Sequence, residues 1–566
     1  MGILMHDMSY PWLASYPENI LWDQPIEPRS MNNVFEETVL KFGTRPAFDF
    51  LGKKWSWAQM GGQVKAFAAG LQKLGVRKGD KVGLFLPNSP TYLIAYYAAL
   101  KIGAVVVNFN PLYAERELQH QIEDSETDIL ITFDLSITYD KAIKMLHNTR
   151  LERLIIARFA DILPFPKNIL FSLFKSGEIA KIEPDKRIFS FRDVASSQNI
   201  APEPVEINPV EDLAVLQYTG GTTGVPKGAM LTHMNIYANT LQSLYWFTDV
   251  KPGEQKMLGV LPFFHVFAMT TIMNFSVMAG FEIIAMPRFD LKDTLEAISR
   301  KRPHFFPAVP AIYNAINNHT GRERYDLSSL EYCISGGAPL PVEVKKTFEA
   351  GTGCIVIEGY GLSESSPVVT ANPVHGDNVA GSIGLPLPQT IVEIVDIQDK
   401  TTLLPPGERG ELCIRGPQVM KGYWNKPEAT AETIREGRLH TGDIAVMDER
   451  GYVFIVDRLK DMIITNGYNV YPRNVEEAIY LHPNVEECIV AGLPDTQRGE
   501  IVKAWIKLKE DRELTGQDLK TFLQDKISPM EIPKRIEFRN EPLPKTMIGK
   551  LSRKDVVAQE LEKKQD

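Results

Sequence analysis

A glycine- and threonine-rich segment is the strongest sign of chemistry in this chain. It reads YTGGTTGVPKG, from Tyr218 to Gly228, and it follows the apolar, strand-like run Leu213–Leu216. Glycines let backbone N–H groups approach phosphate oxygens closely, threonine hydroxyls add donors, and a lysine adds positive charge. The sequence therefore predicts a phosphate-binding loop made by Thr219, Gly220, Gly221, Thr222, Thr223, Gly224 and Lys227.

This segment is not a Walker A loop. That motif needs a second glycine before the lysine and a serine or threonine after it. Here Pro226 stands where the second glycine would be, and Gly228, followed by Ala229, stands where the serine or threonine would be. A surface loop is the ordinary alternative, but such a loop rarely concentrates so many phosphate donors after a buried strand. The pattern favours a phosphate loop of another kind.

Further short motifs follow along the chain. They read PFFH (Pro262–His265), SGGAPL (Ser335–Leu340), YGLSE (Tyr360–Glu364), TGD (Thr441–Asp443), DRLKD (Asp457–Asp461) and PKTMIGK (Pro544–Lys550). Each is weak alone, since TGD occurs at many hairpin corners. Together, and in this order, they resemble the signatures of the adenylate-forming superfamily, which includes acyl-CoA synthetases, firefly luciferase and nonribosomal-peptide adenylation domains. The resemblance spans nearly the whole chain.

Within that superfamily, Gly416–Thr430 and Asp161–Phe171 most resemble bacterial long-chain fatty-acid–CoA ligases. A carboxylate is a poor acyl donor because its leaving group would be oxide, and attack on the α-phosphate of ATP makes AMP the leaving group instead. The resemblance implies this acyl-adenylate chemistry, followed by transfer of the acyl group to coenzyme A. It implies ATP, Mg²⁺ and CoA as cofactors and co-substrates, with a fatty acid as substrate.

The resemblance also implies roles for individual residues. Glu364 would bind Mg²⁺, and Ser363, where the family usually has threonine, would contact the α-phosphate. Lys550 would bridge the substrate carboxylate and the α-phosphate, stabilising charge that develops in the transition state. His265 would lie beside the acyl chain, although a lone histidine in an apolar run is more often a core residue. The nucleotide and CoA would be held by Gly336, Gly337, Ala338, Glu358, Gly359, Tyr360, Gly361, Asp443, Arg458, Lys460 and Gly467.

Some of these roles have a physical basis that can be stated in advance. Tyr360 offers an aromatic face to adenine, and Asp443 can accept hydrogen bonds from both ribose hydroxyls, with Arg458 adding donors on the same side. In the family the small C-terminal domain rotates between the two half-reactions, so Lys460 would be the hinge. Gly467 would line the passage of the pantetheine arm.

The elements that must position these motifs indicate an α/β fold. Apolar runs at Lys81–Pro87, Ala104–Asn110, Thr127–Phe133 and Leu151–Arg158 predict strands separated by helical patterns, such as Thr91–Lys101. This alternation is typical of βαβ units and mostly parallel sheets. We expect a large N-terminal domain of such sheets flanked by helices.

The pattern changes twice later in the chain. From about residue 381 to 457, short alternating runs such as Thr390–Asp396 predict a β-rich subdomain, with a hairpin at Glu449–Gly451. From residue 458 onward, helical and strand-like runs alternate in a unit of about 100 residues, a usual domain size. We therefore predict an N-terminal domain of residues 1–457 and a small, mobile α+β domain of residues 458–566.

The amino-acid composition limits which binding partners and which cellular compartment fit this protein. Asp and Glu total 71 against 62 Lys and Arg, a formal net charge of −9, which argues against nucleic acid. Four dispersed cysteines and an N-terminus without a basic signal region predict a cytoplasmic protein. The run Met257–Phe281 has no charged residue, but Pro262 and Asn274 within it favour a buried pocket segment over a membrane span.

Several alternatives stay open at this level. The acid could instead be medium-chain, aromatic or branched, and Ala268, where a glycine is common in the family, leaves the chain length open. The acyl-adenylate could pass to a carrier protein, or the fold could serve only to bind acyl groups. The mixture of apolar residues and lysines in Leu163–Lys175 fits either an irregular surface segment that covers the core or peripheral contact with the inner face of the membrane. A homodimer is a further expectation.

Overall fold

The computed structural model describes residues 10–196, 201–219, 226–465, 468–495, 498–546 and 551–563. These residues build two large, mostly parallel sheets flanked by helices, a smaller antiparallel sheet and a C-terminal sheet. The α/β class and the large N-terminal body of parallel sheets are as the sequence predicts.

The first large sheet carries the glycine- and threonine-rich segment at one edge. Its pairs are parallel except the last, which is antiparallel. The central strands are mostly buried and largely apolar, as is typical of a parallel sheet covered by helices. In spatial order they are Ile188–Ser190, Arg153–Ala157, Ile129–Phe133, Lys81–Leu84, Val105–Asn108, Leu213–Thr219 and Lys227–Thr232.

The second large sheet is parallel at its centre and antiparallel at both ends. It carries the SGGAPL and YGLSE motifs at the ends of adjacent strands. In spatial order its strands are Leu385–Pro386, Val368–Ala371, Ile355–Gly361, Tyr332–Ser335, Phe305–Ala308, Lys256–Gly259, Glu282–Ala285, Pro46–Phe50 and Lys53–Ser56.

Helices cover these two sheets. Several begin at a serine, threonine or aspartate whose side chain accepts the N–H group three residues on, as Ser89 does for Pro90–Lys101 and Asp290 for Leu291–Lys301. The main helices are Met31–Phe42, Trp57–Lys73, Pro90–Lys101, Glu115–Asp124, Ser136–Asn148, Lys167–Phe174, His233–Tyr245, Leu291–Lys301, Pro310–Asn317 and Val342–Thr352.

The charge-free run Met257–Phe281 folds as a buried pocket wall. It begins in the strand Lys256–Gly259 and continues through three short helical segments, Val266–Ala268, Met269–Asn274 and Phe275–Ala279, of which the middle one is a π-helix. Among the described residues, none of the helices combines the length and apolar character needed to span a bilayer.

Two smaller sheets follow. The antiparallel one contains Ile391–Val395, Arg409–Arg415, Arg438–Met447, Ile434–Arg435 and Val453–Arg458. The C-terminal one contains Tyr468–Val470, Ile463–Thr465, Gly499–Leu508, Val485–Asp495 and Arg535–Arg539, and the helices Pro472–Tyr480, Gly516–Leu523 and Arg553–Glu562 pack around it. Buried apolar residues up to Val453 and those from Ile463 onward belong to separate clusters.

Candidate active site

A cleft of about 2980 Å³ opens where several parallel strands end. Thr219, Ser335 and Gly361 each stand at the carboxyl end of a strand. Ligands of open α/β sheets bind at this edge. The cleft gathers most of the described candidate residues: Thr219, His265, Gly336, Gly337, Ala338, Glu358, Gly359, Tyr360, Gly361, Ser363, Glu364, Asp443, Arg458 and Lys460.

Seven predicted residues lie outside the described part of the chain: Gly220, Gly221, Thr222, Thr223, Gly224, Gly467 and Lys550. The two ends of the glycine-rich segment are described. Thr219 and Lys227 face each other in an antiparallel pair, so the segment begins and ends at the same point of the cleft rim. Lys227 lines a smaller cavity of about 260 Å³, which Thr219 and Glu364 also line.

Three residues from separate motifs meet around one carboxylate. The Tyr360 hydroxyl donates a hydrogen bond of 2.5 Å to Asp443 Oδ2. Arg458 Nε lies 3.4 Å from Asp443 Oδ1. Asp443 and Arg458 are Cα partners on neighbouring strands. Each carboxylate oxygen therefore has one neighbour and spare acceptor capacity toward the cleft.

The glycines beside Tyr360 are required by close packing. A Cβ at Gly361 would lie 2.0 Å from the carbonyl oxygen of Pro367, and one at Gly336 would meet the ring of Phe267 at 3.1 Å. The absent side chains therefore let the backbone at these positions pack closely against Pro367 and Phe267. The slot on the adenine side stays a prediction.

Glu358 is a buried residue that contacts the segment from Gly336 to Leu340. Its side chain is 5% exposed, and Oε1 accepts the backbone N–H of Leu340 at 3.0 Å. Burial raises the pKa of Glu358 to about 7, against the opposing effects of that hydrogen bond and the charge of Arg473. Glu358 thus holds the Gly336–Leu340 segment in place.

Tyr423, which is not among the predicted site residues, contacts both Glu364 and Lys227. The Tyr423 hydroxyl donates to Glu364 Oε1 at 2.7 Å, and Lys227 Nζ lies 5.1 Å from the centre of the Tyr423 ring. Burial raises the pKa of Glu364, and the hydrogen bond from Tyr423 opposes that shift. Tyr423 lies within the Gly416–Thr430 stretch, but nothing in the sequence indicates which residue it faces.

His265 lines the same cleft as a set of large apolar residues. Its Nδ1 accepts the N–H of Phe267 at 3.3 Å, which caps the helical segment that follows. Thr270 in the π-helix donates to the Ser366 carbonyl at 2.6 Å, so this wall is tied to the Ser363–Ser365 turn. The large apolar residues of the cleft lining include Trp246, Phe247, Val266, Phe267, Phe275, Val309 and Ile334.

A partly buried ion cluster follows the last strand of the antiparallel sheet. Arg553 Nη2 lies 2.6 Å from Glu476, and Nη1 lies 3.1 Å from Asp461 and 3.4 Å from Asp457. Asp457 also accepts the N–H of Arg473 at 2.7 Å. Segments on both sides of Lys460 are therefore joined through one guanidinium group.

Comparison with known proteins defines the class. Residues 35–424 match the family described as AMP-binding enzyme, and residues 474–550 match the AMP-binding enzyme C-terminal domain. The chain belongs to the AMP-binding enzyme family.

Two curated relatives and one solved structure give a finer comparison. The chain is 45% identical to a long-chain-fatty-acid–CoA ligase from Bacillus subtilis (strain 168), over 98% of both chains. It is 38% identical to an enzyme of the same name from Escherichia coli O6:H1, over 97% of this chain and 98% of that one. Its fold is similar to ATP-bound MatB from Rhodopseudomonas palustris, with a TM-score of 0.81, 28% identity, and coverage of 94% of this chain and 99% of that one.

Proposed function

We propose that this protein is an AMP-forming acid–thiol ligase that joins long-chain fatty acids to coenzyme A. The observation that carries this proposal is a single cleft whose lining combines the Tyr360–Asp443–Arg458 group and Glu364 with His265 and a set of large apolar residues. An enzyme that adenylates fatty acids needs a nucleotide site and an apolar channel for the acyl chain, and the two must meet at the reacting carboxylate. The names and high coverage of the curated relatives support the long-chain assignment.

The first half-reaction brings two anions together. One carboxylate oxygen of the fatty acid attacks the α-phosphorus of ATP, diphosphate leaves, and acyl-AMP remains. In our assignment Asp443 accepts the ribose hydroxyls, Tyr360 and the Gly336–Ala338 slot hold adenine, and Ser363 donates to the α-phosphate. Lys227 and the glycine-rich segment would hold the departing phosphates, and Lys550 would bridge the carboxylate and the α-phosphate. Donors and cations placed in advance lower the barrier by stabilising developing charge.

The donor set around Glu364 fits Mg²⁺. Glu364 supplies a carboxylate and Thr219 a hydroxyl in the same small cavity, and Mg²⁺ prefers such hard oxygen ligands. When bound with ATP, the ion would neutralise phosphate charge. Tyr423 keeps one Glu364 oxygen oriented, so the other can face the metal.

The second half-reaction transfers the acyl group from AMP to the thiol of CoA. We propose that residues 1–457 and 458–566 form two domains that rotate about Lys460, with Gly467 lining the pantetheine passage. The strand Val453–Arg458 lies in one sheet and Ile463–Thr465 in the next, with separate apolar clusters on each side, which supports this boundary. Rotation of this kind often limits turnover.

We also propose that the helix Lys167–Phe174 contacts the surface of an anionic membrane. Phe165, Leu173 and Phe174 in and beside it are 78%, 66% and 79% exposed, and no residue of the helix is buried. Lys167 and Lys175 bound this apolar surface. A lipid surface pairs apolar contact with negative charge, and it is also where a long-chain fatty acid collects.

Exchange of labelled diphosphate into ATP tests the adenylation step alone. The proposal predicts exchange that requires Mg²⁺ and a long-chain fatty acid but not CoA. It also predicts that Asp443→Asn lowers the exchange strongly at limiting ATP. Exchange that is equal with and without fatty acid would contradict the proposal.

A further inference from the structure

The Thr441–Asp443 segment is a bulge in a strand ladder. Cys413 pairs with His440 and Glu411 with Ile444, so Thr441, Gly442 and Asp443 together face Leu412 alone. Gly442 takes a φ of 72°, which favours glycine. A bulge re-aims a side chain, and here Asp443 leaves the pairing with the strand Arg409–Arg415, keeps its pairing with Arg458 and lines the cleft. The extra backbone N–H groups then need partners outside the ladder.

Side chains next to the bulge supply those partners. Glu411 Oε1 accepts the Gly442 N–H at 3.0 Å. Thr441 Oγ1 accepts the Asp443 N–H at 3.1 Å and donates to the Leu412 carbonyl at 2.7 Å. The Gly442 carbonyl in turn accepts the N–H of Leu459 at 2.9 Å. The backbone on each side of Asp443 is thereby fixed.

Glu411 is itself held by a neighbour. Its side chain is 5% exposed, and its second oxygen lies 2.9 Å from His440 Nδ1. Cys413 Sγ lies 3.3 Å from the same nitrogen. These separations are those of hydrogen bonds. Because a carboxylate only accepts, we assign the proton to His440 Nδ1, which then donates to Glu411. A buried carboxylate with both oxygens engaged is a rigid support.

We propose that Glu411 and His440 are positioning residues for ATP, acting through Asp443. Glu411 stabilises the bulge by accepting the Gly442 N–H, and His440 fixes the orientation of Glu411. Asp443 is thereby kept at the correct distance from the ribose. Neither side chain needs to touch the nucleotide. The inference rests on the proposed function, in which Asp443 accepts the ribose hydroxyls.

Two substitutions at one position separate this role from simple packing. Glu411→Met keeps the length of the side chain but cannot accept the Gly442 N–H. Glu411→Gln keeps an acceptor oxygen at nearly the same place. The control is Glu393→Met, which removes a partly buried carboxylate of the same sheet that pairs with Arg438 and Arg415 and not with Thr441, Gly442 or Asp443.

The readout compares ATP with 2′,3′-dideoxy-ATP in the adenylation assay. We expect Glu411→Met to raise KM for ATP by about 10- to 100-fold, the scale of a displacement near 1 Å, with a smaller change in kcat. Its kcat/KM for the dideoxy analogue should stay within about twofold of the wild type, because the misplaced contact is absent there. The ratio of kcat/KM for ATP to kcat/KM for the dideoxy analogue measures discrimination between the two nucleotides. Glu411→Gln should restore most of this discrimination, and Glu393→Met should keep all of it.

Equal losses with both nucleotides in Glu411→Met would overturn the inference, since they would indicate a general packing defect. If Asp443→Asn itself leaves discrimination unchanged, the ribose assignment fails instead. If Glu411→Met does not fold, His440→Leu takes its place, because it removes the donor that orients Glu411 but leaves the acceptor for Gly442. If folded His440→Leu then discriminates between ATP and the dideoxy analogue as well as the wild type does, the proposed role of Glu411 and His440 is contradicted.

Discussion

Tyr360 and Asp443, which are 83 residues apart, share a hydrogen bond of 2.5 Å between the phenol and the carboxylate at the centre of the cleft. Tyr360 ends a strand of the second large sheet, and Asp443 lies in a bulge of the antiparallel sheet. The contact therefore ties two separately built sheets together at the point where we place the nucleotide. An aromatic face and an oriented carboxylate come from one hydrogen-bonded pair.

Removing the Tyr360 hydroxyl should weaken ATP binding without removing the ring. For Tyr360→Phe we expect KM for ATP to rise about 10-fold, the scale of a hydrogen bond to a charged group, with kcat changing less. Steady-state kinetics at saturating fatty acid and CoA measure this. The control is Tyr452→Phe, which removes a 2.5 Å hydrogen bond to the Asp377 carbonyl outside the cleft. An equal effect in both variants would count against the role of Tyr360.

Glu358 should make the stability of the protein depend on pH. Its pKa is about 7 in the folded chain and 4.5 ordinarily, so the folded state binds the proton more tightly. The stabilisation is complete below about pH 4.5 and is lost as pH rises through 7, by about 3 kcal/mol. Between these values the thermal midpoint of the wild type should fall relative to that of Glu358→Gln. Glu343→Gln, at a carboxylate that is 84% exposed, is the control. Parallel pH curves for the wild type and Glu358→Gln would contradict the prediction.

The Arg553 cluster should govern the stability of the C-terminal region. Arg553→Met leaves Asp457, Asp461 and Glu476 without their shared cation, and because the cluster is partly exposed we expect a cost of up to about 3 kcal/mol. Hydrogen exchange in the helices Pro472–Tyr480 and Arg553–Glu562 should speed up accordingly. Arg450→Met removes two ion pairs of an exposed arginine and should have little effect. Unaltered exchange in Arg553→Met would show that the cluster is dispensable.

Membrane contact can be measured by sedimentation with vesicles. We expect the wild type to bind vesicles that contain anionic lipid, and Phe165→Ser/Leu173→Ser/Phe174→Ser to bind at least about 10-fold more weakly, since apolar burial drives such contacts. Leu40→Ser is the matched control, because Leu40 is 86% exposed on a different helix. Equal binding by the triple variant, or no binding by the wild type, would refute the contact.

The sequence predicts the framework well, because buried parallel strands are continuous apolar runs. The run Lys81–Pro87 predicts the strand Lys81–Leu84, and Glu449–Gly451 correctly marks a hairpin between Arg438–Met447 and Val453–Arg458. Motif residues can be recognised because each motif is contiguous. Tyr423, Glu411 and His440 cannot be found in that way. Their partners are set by sheet register and by a bulge, and one added residue in a ladder changes which side chains meet.

The central claim is tested most directly by measuring acyl-CoA formation with ATP, Mg²⁺ and CoA across saturated fatty acids from short to long. The account predicts a rate that is highest with long chains, with one AMP and one diphosphate released for each thioester. Diphosphate release without a thioester would instead indicate an acyl-AMP ligase that uses another acceptor. Release of ADP, or no turnover with any fatty acid, would contradict the account.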